Sequence, residues 1–144
     1  NPIEMSNISF TPKDFVSTIN AIQLFSDAIP FNQDIGHWDV SNVTVMEDMF
    51  ANATSFNQDI SKWVLSNVTD MYGMFRGAES FNQDISNWDV SRVTRMRNMF
   101  NRARSFNQDI SQWCVSKIPS IPIGFSQGSG LTPANHPVWG TCPP

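Results

Sequence analysis

Apolar and polar positions recur along this chain with a period of 25 residues. The pentapeptide Phe-Asn-Gln-Asp-Ile begins at positions 31, 56, 81 and 106, and four tryptophans keep the same step of 25: Trp38, Trp63, Trp88 and Trp113. A strict period in this range, without insertions, is typical of repeat proteins, in which stacked units bury one another's apolar faces. The sequence therefore predicts a short solenoid.

Each unit combines a strand-like pattern with a helix-like pattern. Trp38 and Val40 alternate with polar residues, as a short strand would. The next apolar residues follow at the three- and four-residue steps of one helix face: Met46, Met49, Phe50, Ala53 and Phe56. We predict an α/β fold of stacked 25-residue strand-helix coils with the strands on the concave side. The core is expected to contain the four tryptophans and three phenylalanines: Phe50, Phe75 and Phe100.

The two ends of the chain differ from the repeats. Thr11 and Pro12, followed by apolar residues at helical spacing, predict a capping helix within residues 11–28. Pro119 and Pro122 interrupt the helix-like pattern in the last unit. We therefore divide the single domain, 1–144, into three parts at these boundaries: an N-terminal cap with a helix (1–30), repeats (31–118) and a C-terminal cap (119–144).

The sequence contains two cysteines, Cys114 and Cys142, which bracket a tail rich in proline, glycine and serine. One disulfide that ties this tail down is the favoured interpretation, and it would stabilise the fold by about 3–4 kcal/mol in the chain-entropy model. Two free thiols are the alternative. A disulfide would indicate an oxidising compartment.

Two polar columns are expected to run along the stack. The first consists of Asn32, Asn57, Asn82 and Asn107. Their amides can bond backbone groups of the next coil, so we predict a structural ladder. The second consists of Asp34, Asp59, Asp84 and Asp109. These carboxylates are expected to cap backbone turns, with a calcium site as the alternative because hard cations prefer carboxylate oxygens.

The net charge of −4 conceals an asymmetry, because residues 1–70 carry −7 and residues 71–144 carry +3. The basic residues crowd into two neighbouring units and, with one tyrosine, form the candidate partner-binding set: Tyr72, Arg76, Arg92, Arg95, Arg97, Arg102 and Arg104. Pairing between coils, Asp70 with Arg95 and Glu79 with Arg104, would explain the same pattern without any ligand. Nucleic acid is disfavoured, because the net charge is negative and the aromatic residues recur at core positions.

Catalysis is not expected. Histidine occurs only at positions 37 and 136, and we identify no metal-ligand spacing, phosphate-binding glycine loop or nucleophile elbow, so no cofactor is predicted. No run of about 18 apolar residues is present, so no membrane-spanning segment is predicted.

The repeat unit Phe-Asn-Gln-Asp-Ile-Ser-x-Trp-x-Val-Ser-x-Val-Thr-x-Met-x-x-Met-Phe resembles the 25-residue repeat of BspA-like surface proteins, an atypical branch of the leucine-rich repeats. The resemblance covers residues 31–118, and Val64 and Leu65 depart from it where sister units have Asp-Val. It implies extracytoplasmic display, on the cell surface or by secretion, with adhesion or protein binding and no catalytic residues. We therefore expect a binding module for a surface protein or glycan. The alternative is a structural accessory subunit docked on a larger assembly.

Overall fold

The computed structural model describes residues 20–144, and it shows stacked coils built almost entirely from turns. Within that range the sole helix is the short 3₁₀ helix Pro133–Asn135. Extended pairing there is limited to three isolated parallel bridges between successive coils: Asn20 with Val45, Val45 with Asp70, and Asp70 with Arg95. The predicted α/β fold of strand-helix coils, with strands lining a concave side, is therefore wrong.

Consecutive β-turns replace the helix that the spacing of methionine and phenylalanine predicted. Turns 46–49 and 50–53 are each closed by an N–H···O bond from their fourth residue to their first, with N···O distances of 3.3 and 3.0 Å. Their third residues, Asp48 and Asn52, have φ of 52° and 58°. Type II turns require positive φ at this position. Because a left-handed residue at every fourth position breaks a right-handed helix, the same apolar spacing produces turns here.

The left-handed positions form two columns along the stack. The first contains Gln23, Asp48, Gly73, Asn98 and Gly124, and the second contains Asp27, Asn52, Gly77, Arg102 and Gly128. Glycine, asparagine and aspartate, the residues that tolerate this conformation best, fill eight of the ten positions.

The last coil is one residue longer than the others. The left-handed positions advance by 25 residues up to Asn98, but by 26 from Asn98 to Gly124. Phe125, which a strict period aligns with Phe100, is therefore displaced by one position. Its ring meets that of Phe100 edge-on, with centroids 5.5 Å apart and planes at 85°.

Backbone N–H groups of alternate residues bond the next coil. Four alternate residues, 46 to 52, donate to carbonyls of residues 70 to 76 at 2.7–2.8 Å. Residues 71 to 77 repeat the pattern with carbonyls of residues 95 to 101 at 2.8–2.9 Å. Helices would consume these donors internally and would need about 8–10 Å between axes. Turns allow a spacing close to that of paired strands, about 4.8 Å.

Aromatic columns fill the centre of the stack. Rings of the column Phe25, Phe50, Phe75 and Phe100 lie 5.5–5.6 Å apart between neighbours, with interplanar angles of 4–14°. The predicted core residues Trp38, Trp63, Trp88 and Trp113, with Phe50, Phe75 and Phe100, are all at most 4% exposed. The indole N–H groups of Trp63, Trp88 and Trp113 donate to the carbonyls of Ile35, Ile60 and Ile85 at 3.0–3.1 Å. The tryptophans therefore pack the core and also link neighbouring coils.

The C-terminal tail is bonded to the last coils. The predicted disulfide between Cys114 and Cys142 is confirmed. Backbone N–H groups of Ile110 and Val115 donate to the carbonyls of Asn135 and Thr141 at 3.1 and 2.9 Å. At the other end, most of the predicted capping helix falls outside the described residues, and residues 20–28 form turns instead of the expected helix.

The substitution Gly73→Ala distinguishes turns from a helix, because it should lower the free energy of unfolding in the first case and raise it in the second. Gly73 has φ of 61°, and an added Cβ would collide with Oδ1 of Asp48. We expect the free energy of unfolding, measured by urea denaturation, to fall by about 1–2 kcal/mol, the cost of left-handed backbone for an L-residue. In a helix interior the same change would raise it by about 1 kcal/mol. Ser80→Ala, at an exposed position of the same coil, is the control and should change stability by less than about 0.5 kcal/mol.

Candidate functional site

The side chains of the asparagine column form hydrogen bonds between successive coils. The N–H groups of Asn57, Asn82 and Asn107 each donate to the side-chain oxygen of the asparagine one coil earlier, at 2.9–3.0 Å. Thr132 closes the series by donating its N–H to Oδ1 of Asn107 at 3.0 Å. The predicted structural ladder is confirmed, because the side-chain oxygens of these asparagines accept backbone N–H groups of the next coil.

The aspartate column caps turns. Oδ1 of Asp34, Asp59, Asp84 and Asp109 accepts the N–H two residues onward at 2.9–3.0 Å, as expected. Hydrogen bonds from Ser61, Ser86 and Ser111 hold the pKa of Asp59, Asp84 and Asp109 below the ordinary value. In residues 20–144 no three histidine, cysteine or acidic side chains converge as metal ligands.

Four of the six candidate arginines contact a polar group of the preceding coil. The observed pairs are Arg95 with Asp70 at 2.6 Å, Arg76 with Asp48 at 3.4 Å, Arg104 with Glu79 at 3.7 Å, and Arg92 with Asn67 at 3.4 Å. Pairing between coils, the alternative explanation of the arginine cluster, therefore accounts for Arg95 and Arg104. The guanidinium groups of Arg97 and Arg102 are exposed and have no hydrogen bond or ion pair within residues 20–144.

The seven candidate residues do not form one continuous patch. Arg76 and Arg102 line one shallow hollow, and Arg102 and Arg104 line another. Tyr72, Arg95 and Arg97 line a third hollow of about 400 Å³, which we call the Tyr72 groove. It is also lined by Thr94, Met96, Ile118, Ser120, Ile121, Pro122 and Ile123.

The Tyr72 groove combines positive charge with exposed apolar surface. The guanidinium of Arg95 lies 5.2 Å from the centre of the Tyr72 ring while its Nη1 bonds Asp70. On the opposite side, Ile121 is 56% exposed and Ile123 is 70% exposed. Apolar side chains as exposed as these two isoleucines are shielded from water only when another molecule binds over them. Sequence reasoning identified the arginines and the tyrosine but missed both isoleucines.

A second feature that the sequence analysis missed is a serine–histidine contact. Oγ of Ser126 lies 2.7 Å from Nε2 of His136, whose Nδ1 lies 2.9 Å from the carbonyl oxygen of Thr132. Residues 124–128 also have the Gly-x-Ser-x-Gly spacing of serine hydrolases. Both glycines, however, occupy left-handed turn positions, and the strand and helix that flank such a serine in those enzymes are absent from residues 20–144. The contact ties the tail to the last coil.

Comparisons with known proteins identify a family without an assigned activity. A family model described as Mycoplasma protein of unknown function, DUF285, matches residues 19–135. No curated protein and no solved structure matches the chain. In the part of the chain that the structure describes, no helix is long and apolar enough to cross a bilayer.

Ser91→Ala tests how a serine holds an aspartate in its charged form. Ser91 donates both its Oγ–H and its N–H to Oδ1 of Asp89, at 2.6 and 3.0 Å, and these bonds lower the pKa of Asp89. A lowered folded-state pKa contributes stability that is present above the unfolded value, about 3.9, and is lost as the pH falls through the folded pKa.

The variant should therefore titrate Asp89 at higher pH than the wild type, as followed by carboxyl ¹³C NMR. The difference in the free energy of unfolding between the wild type and the variant should narrow as the solution is acidified. Asp84, whose partner Ser86 is unchanged, is the internal control. An unchanged titration of Asp89 would show that the Ser91 hydroxyl does not set its charge.

Proposed function

We propose that this chain, which belongs to the DUF285 family, is an extracytoplasmic protein-binding or adhesion module without catalytic activity. The single observation that carries the proposal is the Tyr72 groove, in which exposed Arg97 stands opposite exposed Ile121 and Ile123. Aromatic rings and arginine are enriched at the centres of protein interfaces. A surface that is both cationic and apolar favours a partner that offers carboxylates beside apolar side chains.

The location of the groove supports the proposal, because it lies where the coils differ from one another. Equivalent positions of successive coils hold Val45, Asp70 and Arg95 in one column and Glu47, Tyr72, Arg97 and Ile123 in the next. The asparagine, aspartate and tryptophan columns barely change, and their side chains bond within the stack. Recognition of a particular partner needs a surface with its own pattern of side chains, and these two columns supply one.

An extracytoplasmic location is supported by two observations. The bond between Cys114 and Cys142 is of a kind that persists in oxidising compartments. The repeat also resembles that of BspA-like surface proteins.

The alternative is a structural accessory subunit of a larger extracytoplasmic or membrane-associated assembly. It is favoured by the exposed apolar residues in the C-terminal part, because Val138 is 66% exposed in addition to Ile121 and Ile123. Permanent interfaces are more apolar than transient ones. A stoichiometric partner that survives moderate salt would support this role over adhesion.

Arg97→Ala should leave the fold intact and weaken partner capture. The Arg97 guanidinium bonds nothing within residues 20–144, so the unfolding midpoint should be unchanged. Capture from an envelope fraction, quantified by mass spectrometry at low and moderate salt, should fall about tenfold, because bonds to charged groups contribute about 1.5–3 kcal/mol.

Arg92→Ala is the matched control, since Arg92 is also an exposed arginine but does not line the Tyr72 groove. It should capture as well as the wild type. Equal capture by the wild type and both variants would exclude the groove as the binding site.

A further inference from the structure

One arginine has a backbone conformation that suits it poorly. Arg102 has φ of 60° in the second left-handed column, and no other left-handed position in residues 20–144 holds a basic residue. Left-handed backbone is unfavourable for L-residues, and it is tolerated best by glycine, asparagine and aspartate. The Arg102 guanidinium is exposed and bonds nothing within the described range. No polar contact in that part of the chain therefore offsets the cost of this conformation.

A glycine in the next coil leaves room for the Arg102 side chain. A Cβ added to Gly128 would lie 3.4 Å from Cγ of Arg102, so the arginine stem lies against the backbone of the last coil. The same arrangement occurs two coils earlier, where a Cβ on Gly77 would collide with Oδ1 of Asn52. Asn52 uses its position to bond Asp27 at 3.0 Å. Arg102 instead presents its charge at the surface.

Two shallow hollows adjoin at Arg102, which lines both of them together with Asn101. The first has a volume of about 300 Å³, and its other lining residues are Arg104, Gln127 and Gly128. The second has a volume of about 200 Å³, and its other lining residues are Asn52, Arg76, Gly77 and Asn98. Among the residues that the structure describes, no aromatic, large apolar or acidic side chain lines either hollow. None of their residues lines the Tyr72 groove.

The first hollow also contains a free backbone donor and two side-chain amides. The N–H of Gly77 donates to the carbonyl of Asn101 in the next coil at 2.8 Å, but the equivalent N–H of Gly128 has no partner among residues 20–144. Gly128 is itself exposed. The side-chain amides of Asn101 and Gln127 can both donate to hydroxyl groups and accept from them.

One positive charge in the hollows has no acidic partner. Arg76 pairs with Asp48 at 3.4 Å, and Arg104 pairs with Glu79 at 3.7 Å. Arg102 forms no ion pair within residues 20–144. The hollows therefore place one unbalanced cation among groups that bond hydroxyls.

We infer that the two hollows around Arg102 bind an acidic polysaccharide, whose sugars carry carboxylate or sulfate groups. The anionic group accepts hydrogen bonds from the Arg102 guanidinium, an arrangement that is stronger than bonds between neutral groups, and from the N–H of Gly128. Sugar hydroxyls bond the amides of Asn101 and Gln127.

An acidic protein fits these hollows less well than a polysaccharide does. Protein interfaces depend on buried aromatic and apolar side chains at their centres, and the lining of both hollows is polar. The site is separate from the Tyr72 groove, so the inference goes beyond the proposed protein-binding function and does not depend on it.

Titration with short oligomers tests the inference. The probes are a hexamer of galacturonic acid, sulfated maltohexaose, unmodified maltohexaose and a hexaglutamate peptide. Binding is followed by NMR of the ¹⁵N-labelled chain, at the amide of Gly128 and the Nε–H of Arg102. The protein variants are Arg102→Gly and two controls, Arg92→Ala and Arg97→Ala, which remove exposed arginines that line neither hollow.

Both acidic saccharides should shift the signals of Gly128 and Arg102, and unmodified maltohexaose should not. Arg102→Gly should weaken their binding about tenfold, because a hydrogen bond to a charged group is lost. The same variant should be at least as stable as the wild type, because glycine tolerates left-handed backbone. Arg92→Ala and Arg97→Ala should bind as the wild type does.

Unchanged affinity in Arg102→Gly, or no binding of either acidic saccharide, would overturn the inference. An equal loss in Arg92→Ala would reduce the interaction to overall charge. Hexaglutamate that binds as tightly as the acidic saccharides would assign the hollows to an acidic protein instead. None of these outcomes changes the capture that depends on Arg97, which tests the proposed function separately.

Discussion

The hydrogen bonds between the backbones of successive coils are the constraint on which the rest of the structure depends. Alternate N–H groups of one coil donate to carbonyls of the next at 2.7–2.9 Å, as residues 46–52 and 71–77 show. This pairing fixes the distance between coils, and equivalent phenylalanine rings, whose centroids lie 5.5–5.9 Å apart, stack on one another as a result. It also explains the turns, since these leave every second donor available whereas a helix leaves none.

The 25-residue period carried much of this information in the sequence. Residues that face inward in one unit do so in the next, so the buried columns could be read from Phe50 and Trp63 onward. The asparagine ladder and the disulfide followed from chemistry that does not depend on the shape of the coil. The helix did not follow, because steps of three and four are produced by a series of type II turns as well as by a helix. The distinguishing signal was Asp48, Gly73 and Asn98 at equivalent positions, all residues that accept positive φ.

The Tyr72 groove was only partly predictable. Tyr72, Arg95 and Arg97 were visible as differences between otherwise similar units. Ile121 and Ile123 were not, because a strict step of 25 conceals the one-residue insertion that displaces the last coil. Periodicity describes where the stack is regular, whereas this groove exists because the regularity fails between Thr94 and Gly124. A proline at 119 was read as the end of a helix, but its consequence is a backbone carbonyl without a donor.

An unpaired edge is a hazard as well as an opportunity, because exposed N–H and C=O groups can pair with any extended chain. At the Tyr72 groove the Thr94 carbonyl and the Met96 N–H have no partner among residues 20–144, Met96 is only 1% exposed, and two arginines lie beside them. Two copies that approached groove to groove would bring Arg97 of each into the same small volume, and like charges in direct opposition are destabilising. Charge at this position therefore opposes self-pairing through the groove, and under the proposed function it would attract an acidic partner. A lysine- or arginine-rich surface would meet the same repulsion, so under the proposed function the arginines would select the partner by exclusion as well as by attraction.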